Sequence, residues 1–263
     1  MILHLGSVIA GRPSDPEPVH QMRVAVRRAR SALSLFAPIL SEPSLAGVSE
    51  GLRTLGQMLG PARDWDVFMT ETVPPVMAAL PVQTRLQTLV RAGTRHRHGV
   101  NAALSVWLAG PAFRLLVLDL ACLTAAAPDE ANPVPLRAFA ASTLQTLWKK
   151  VRNSGRSLGK LDDPDLHRLR LKAKRLRYAA EFFAPLFPEK PAARFIRRLA
   201  VLQERLGIFN DSTVAEALLN DLSRAPTHAA GLVLGFTAAR GAKIRPKIAS
   251  AWARFRKRGP SWT

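Results

Sequence analysis

The sequence predicts an all-α protein, and three observations predict it. Strand signals are scarce: aromatic residues make up 6%, there is one tyrosine, and no run alternates apolar and polar residues with period two. Alanine, leucine and arginine dominate, and apolar residues recur at helical spacing. Prolines fall where helices start, at Asp15-Pro16, Asn132-Pro133, Asp163-Pro164 and Lys190-Pro191. A first-turn residue has no intrahelical use for its backbone N–H, so proline costs nothing there. The pattern accommodates about eight to ten helices joined by short loops.

Composition narrows the partner. The 263 residues suffice for one large domain or for two half-length repeats with sizeable cores. Thirty-eight Lys+Arg against 19 Asp+Glu leave a formal net charge of +19. Self-repulsion of that size opposes compaction and points to an anionic partner: nucleic acid, an anionic membrane surface or a polymeric phosphate. A single cysteine, Cys122, rules out an internal disulfide framework and a Cys-rich metal site. Its neighbours Leu120, Ala121 and Leu123 predict core packing. The first five residues, Met1-Ile2-Leu3-His4-Leu5, have no basic stretch of the kind that opens a secretory signal. Val100 to Ala127 is apolar but interrupted by Gly110-Pro111, Arg114 and Asp119, short of the ~20 residues of a membrane span. The expectation is no membrane span and a cytoplasmic location.

Along the chain, Ala126 to Pro133 is the expected link between an N-terminal half, 1–128, and a C-terminal half, 133–263, of one domain covering 1–263. The halves repeat each other. Val19-His20-Gln21-Met22-Arg23 through Arg30 matches Leu166-His167-Arg168-Leu169-Arg170 through Arg177 at an offset of 147. In the same register Phe36-Ala37-Pro38 falls on Phe183-Ala184-Pro185, Leu59-Gly60 on Leu206-Gly207, Asp64 on Asp211 and Val67 on Val214. Chance does not hold register from Val19 to Val67. Asp64 and Asp211 read as helix N-caps. After Gly241 the chain carries Lys243, Arg245, Lys247, Arg254, Arg256, Lys257 and Arg258 without an acid, as a basic amphipathic helix or a frayed arm.

A turn of about 100° per residue shows what the repeated spacing does. With His20 at zero, Arg27, Arg23 and Arg30 lie at about −20°, −60° and −80°, while Met22, Ala25, Val26, Ala29, Leu33, Phe36 and Leu40 gather on the opposite face. His167, Arg170, Lys174 and Arg177 form the same stripe in the second copy, opposite Leu169, Ala173, Leu176, Ala180 and Phe183. Only Lys172 intrudes at the edge of that apolar face. Like charges at these spacings repel, and no acid lies between Glu17 and Glu42 to relieve them. One such helix is an ordinary solvated face. Two in register, each led by a histidine, read as anion-binding surfaces, because guanidinium forks hold phosphoryl oxygens bidentately and lysine adds a point charge.

His20-x-x-Arg23-x-x-x-Arg27-Arg28-x-Arg30 and His167-x-x-Arg170-x-x-x-Lys174-Arg175-Leu176-Arg177-Tyr178 resemble the paired signatures of CHAD domains, the conserved-histidine α-helical domains. Leu59-Gly60-x-x-Arg63-Asp64-x-Asp66-Val67 and Leu206-Gly207-x-x-Asn210-Asp211 are similar to that family's following motifs. Two departures are a short stretch before His20 and Ala29 in place of a usual leucine. The resemblance implies two pseudo-symmetric four-helix bundles around a basic cavity, binding of inorganic polyphosphate, which sulfate or phosphate can mimic, and recruitment to polyphosphate granules. It implies phosphate contacts at His20, Arg23, Arg27, Arg28, Arg30 and Arg63 in the first copy. In the second it implies them at His167, Arg170, Lys174, Arg175, Arg177 and Tyr178. Lys149 and Arg152, within Trp148-Lys149-Lys150-Val151-Arg152, either extend that basic wall or cap a solvated helix end.

Two rival functions are weighed. CHAD domains often accompany triphosphate tunnel metalloenzymes, but metal-dependent phosphate chemistry needs clustered carboxylates. The chain has no Glu-x-Glu alternation, no His-Glu-x-x-His and no P-loop. The expectation is a binding protein, not an enzyme, with no cofactor and no metal. Nucleic acid, RNA above all, is the alternative partner, though the stripes offer only Tyr178 for base stacking. Oligomeric state is not encoded in any pattern of the sequence.

Overall fold

Asp15 opens the second helix of the chain: its carboxylate accepts the backbone N–H of Glu17 at 3.0 Å, and Pro16 follows at the first helical position. Asp162 opens the eighth in the same way, accepting from the N–H of Asp165 at 2.8 Å. Such caps satisfy N–H groups that a helix start otherwise leaves bare, and each is worth ~1 kcal/mol. A computed structural model describes residues 1–11, 15–39, 43–80, 84–125, 135–222 and 227–257.

These residues form α1 (Ile2–Gly11), α2 (Pro16–Phe36), α3 (Pro43–Val67), α4 (Val73–Ala79), α5 (Thr84–Ala109), α6 (Pro111–Ala125), α7 (Leu136–Ser154), α8 (Asp163–Phe183), α9 (Glu189–Asp221) and α10 (Thr227–Arg256). No strand occurs among the described residues, and the all-α expectation holds. Proline punctuates the chain as predicted at Pro16, Pro164 and Pro191, each in the first turn of its helix. Asn132-Pro133 and the link Ala126 to Pro133 lie outside the described residues. The basic stretch after Gly241 is helical through Arg256, which resolves the choice between helix and frayed arm over that range.

The chain divides into two compact units. The first comprises Met1–Pro128 and Thr213–Thr237. One core joins Leu5 and Ile9 of α1, Val19, Met22 and Val26 of α2, Leu52, Leu55 and Leu59 of α3, Leu104 of α5 and Phe113 of α6. A second core packs Trp65, Phe68, Val73, Val76, Leu86 and Leu89 against Ala215, Leu218, Leu219 and Leu222 of α9 and Ala229 and Val233 of α10. The segment 213–237 therefore belongs with the first unit, and not with the rest of 133–263 as a straight cut of the sequence would have it. The reason is the apolar face of α9 beyond Thr213, whose burial at roughly 1.5–3 kcal/mol per large side chain lies on that side. Between α3 and α4 the chain makes a π-helical turn, Phe68–Thr72. Beside it Asp66, fully buried, accepts from Arg97 Nε at 2.6 Å.

The second unit comprises Asp129–Ser212 and Ala238–Thr263. Its core is aromatic: Trp148 meets Phe255 edge-on at 5.0 Å and Phe195 at 5.9 Å, and Trp252 lies 5.9 Å from Phe255. Gly155 closes α7, and a Cβ there would stand 2.3 Å from the Trp252 ring, so only glycine lets the indole lie on that turn.

Two sequence expectations need correction. Cys122 is exposed, because Leu120 and Leu123 turn toward the core while Cys122, between them on α6, turns away. Asp64 and Asp211 are not N-caps: each lies inside a helix that runs on past it, α3 to Val67 and α9 to Asp221. No single described helix is long and apolar enough to cross a membrane. The bent pair α5 and α6, 56° apart at Gly110, meets that test only as a pair.

Candidate anion-binding helices

α2 and α8 are both 21 residues long, start at positions 147 apart and end in a 3-10 turn, Ala37–Ile39 and Ala184–Leu186. The matching turns arise from Pro38 and Pro185, which disfavour continued α-helix in the residue before them. Each helix is fixed by its apolar face. Val19, Met22, Ala25 and Val26 are buried on α2, and Leu166, Leu169, Ala173, Leu176, Ala180 and Phe183 on α8. With those faces inward, the rotation of the stripes is no longer free.

On α2, His20, Arg23 and Arg27 are half-buried and Arg28 and Arg30 exposed. Arg23 reaches across to α3, with Nη2 3.8 Å from the Asp64 carboxylate. At that separation and exposure the pair contributes at most ~1 kcal/mol and can open for a ligand. Two glycines one turn apart on α3 make room for the guanidinium groups. A Cβ on Gly60 would stand 3.4 Å from Arg23 Nη1, and one on Gly56 3.3 Å from Arg30 Nη1. Arg63, also on α3, pairs with Glu71 of the π-helical turn at 3.3 Å. Side chains of His20 and Arg30 form no hydrogen bond or ion pair among the described residues.

On α8, His167 is exposed, and Arg170, Lys174 and Arg177 are half-buried. His167 Nδ1 lies 2.7 Å from Asn210 Oδ1, so Nδ1–H donates to that amide oxygen. This orients the ring and leaves Nε2 toward solvent. Arg177 donates to Glu181 at 2.8 Å through Nε and to Gln203 at 3.0 Å through Nη1. Tyr178 is 6% exposed and belongs to the core, with the Arg177 guanidinium 5.9 Å from its ring centroid. Its ring has no open face for a base.

Four residues stand apart from the stripes. Arg28 and Arg175 project about 100° round their helices from Arg27 and Lys174. Arg175 instead lines a groove with Lys172 of α8 and Leu147 and Lys150 of α7. Lys149 and Arg152 are exposed on other faces of α7, and of that basic run it is Lys150 that lines the groove with Arg175. Lys150, Glu71 and Gln203 were missed by sequence reasoning, since none sits in a repeated motif. Asn210 lies inside one, but its contact with His167 spans 43 positions and has no local signature. No group of three or more His, Cys, Asp or Glu side chains forms a metal site among the described residues.

Comparison with known proteins fits this geometry. The chain is similar to the crystal structure of the CHAD domain from the plant Ricinus communis, with a TM-score of 0.80, 29% identity, and 97% of this chain and 87% of that one covered. It also shares its fold with PptA from Streptomyces chartreusis, at TM-score 0.69 and 15% identity over 96% of both chains. Two uncharacterized proteins of Mycobacterium tuberculosis, from strains CDC 1551 and H37Rv, are 28% identical over 218 residues. That alignment covers 78% of this chain and 40% of each relative, so the chain spans two-fifths of their length. The CHAD domain pattern matches residues 2–220, which takes in both stripes and both partner helices α3 and α9. The chain belongs to the CHAD domain family.

Proposed function

We propose that this chain binds inorganic polyphosphate through the cationic stripes of α2 and α8, as a binding module and not an enzyme. The same binding would recruit it to polyphosphate granules. The observation that carries the reading is the repeated set of one histidine and three cations, on helices with identical limits at the 147-residue offset. Each set rises from a buried apolar helix face, and its histidine and cations are half-buried or exposed. Arginine forks and a lysine suit phosphoryl oxygens spaced along a chain. The loose Arg23–Asp64 contact can give way to phosphate, and neutral Asn210 orients His167 without cancelling charge.

Burial of Tyr178 weighs against RNA, since single-strand binders stack bases on exposed rings at ~1–3 kcal/mol each. The deciding experiment is calorimetric titration with polyphosphates of defined length against RNA of matched charge. Polyphosphate is expected to saturate at far lower phosphate concentration and to displace RNA; the reverse order would reassign the stripes to nucleic acid. At ~100 times Kd the ligand should add about 2.7 kcal/mol of stability, read as a higher melting temperature. A flat thermal scan with folded protein would sink the proposal.

A further inference from the structure

We propose that the groove between α7 and α8 is a second anion site, built for a condensed phosphate of two or three units. It is lined by Leu147 and Lys150 of α7 and Lys172 and Arg175 of α8, with a volume of about 380 Å³. Lys172 and Arg175 are three residues apart on one face of α8, turned about 100° or more from Lys174, so the groove is not a continuation of the stripe. Lys172 Nζ donates to Ser154 Oγ in the last turn of α7, at 2.5 Å, which holds the ammonium at the rim. None of the three cations forms an ion pair among the described residues. The reason lies in the sequence of the walls. α7 contains no Asp or Glu at all, and the three acids on α8 pair elsewhere, Asp163 with Arg245, Asp165 with Arg168 and Glu181 with Arg177. Three positive charges therefore converge on a depression with no local acid to neutralise them.

Charge and size together indicate the ligand class. A terminal phosphoryl group carries about −1.5 to −2 at neutral pH, so two such groups roughly match three cations and a polarised rim. The groove has the volume of about a dozen waters, enough for a pyrophosphate or tripolyphosphate and too little for a folded long chain. Two sources share that chemistry: a free short condensed phosphate, or the end of a long one, where charge per phosphorus is highest. Leu147 is the one apolar residue of the four that line the groove.

The inference goes beyond the stripes and does not depend on them. The test is calorimetry on the full chain with pyrophosphate and, separately, long-chain polyphosphate, at about 150 mM salt to suppress non-specific binding. Wild type should bind one pyrophosphate in the groove. Lys150→Ala with Lys172→Ala should weaken that binding at least tenfold and leave long-chain binding at the stripes unchanged. Lys150→Arg with Lys172→Arg should retain it, which separates loss of charge from loss of fold. Arg27→Glu with Lys174→Glu should keep pyrophosphate binding while losing long-chain binding at the stripes. Competition identifies the source. Displacement of pyrophosphate by long chains in proportion to chain ends assigns the groove to termini, and no displacement assigns it to free short phosphates. Unchanged pyrophosphate affinity in the double alanine variant, or no saturable binding in wild type, overturns the proposal.

Discussion

The α2–α3 pair and the α8–α9 pair carry the same stripe on different supports. On α3, position 56 is glycine and position 63 is arginine; at the same register α9 has Gln203 and Asn210. In the second pair both substituted residues hold the stripe in place, Gln203 through Arg177 and Asn210 through His167. The first pair leaves His20 and Arg30 without such partners among the described residues and adds a fourth cation, Arg63, restrained by Glu71. A repeated signature thus produces one stripe that is more charged and less tethered, and one that is less charged and better ordered. Preorganised groups lose less entropy on binding, whereas untethered charges add more counterion release. Two copies of one motif need not contribute equally.

Variants can break or sharpen that contrast. The largest effect is expected from reversing Arg27 and Lys174 to glutamate together. Charge-assisted hydrogen bonds are worth ~1.5–3 kcal/mol each, so the loss of two should weaken polyphosphate binding by about 10² to 10⁴, with unchanged helical circular dichroism. If the double variant binds long chains as tightly as wild type, neither stripe is the site. If Arg27→Glu alone and Lys174→Glu alone differ by more than tenfold, the two copies are unequal in the ligand's energetics as well as in support.

A smaller effect separates tether from charge. Asn210→Ala should free His167 and raise Kd by roughly fivefold, about one neutral hydrogen bond, without changing the salt dependence. Arg63→Asn, which gives the first pair the second pair's residue, should lower the slope of log K against log salt by about one. Equal salt slopes for the two variants would show that Arg63 does not meet the ligand.

The smallest effect has its control built in. A Cβ on Gly60 meets the Arg23 guanidinium at 3.4 Å, but one on Gly207, its counterpart on α9, meets nothing within 4 Å. Gly60→Ala and Gly207→Ala should each raise helix stability by up to ~1 kcal/mol. Only Gly60→Ala should also shift Arg23 and lower affinity, by about twofold. Equal binding by both would mean that the α3 glycines serve the helix and not the arginines.

Most of the helices were legible because their signals are local. Asp15-Pro16 and Asp162-Asp163-Pro164 mark helix starts by the chemistry of unsatisfied N–H groups, and period-3.6 patterning separates the buried Met22 and Leu169 from the charged stripe. The contacts of the stripes were not legible. Nothing near His167 in the chain announces Asn210, and nothing near Arg177 announces Gln203. The expected caps at Asp64 and Asp211 failed for the same reason: a capping residue and a mid-helix acid share one chemistry, and only the run of the helix past each distinguishes them.

By itself the sequence determined that the chain is helical, strongly cationic and repeated at an offset of 147 residues, since composition, periodicity and register are properties of the chain written out in order. The tertiary structure decided which partner the paired cations received, why 213–237 packs with the first unit, and that Lys150 and not Lys149 shares a groove with Arg175. Those outcomes depend on which faces of separate helices bury together. Adjacent residues on a helix point about 100° apart, so one rotation of α7 against α8 selects between neighbouring lysines that the sequence treats alike.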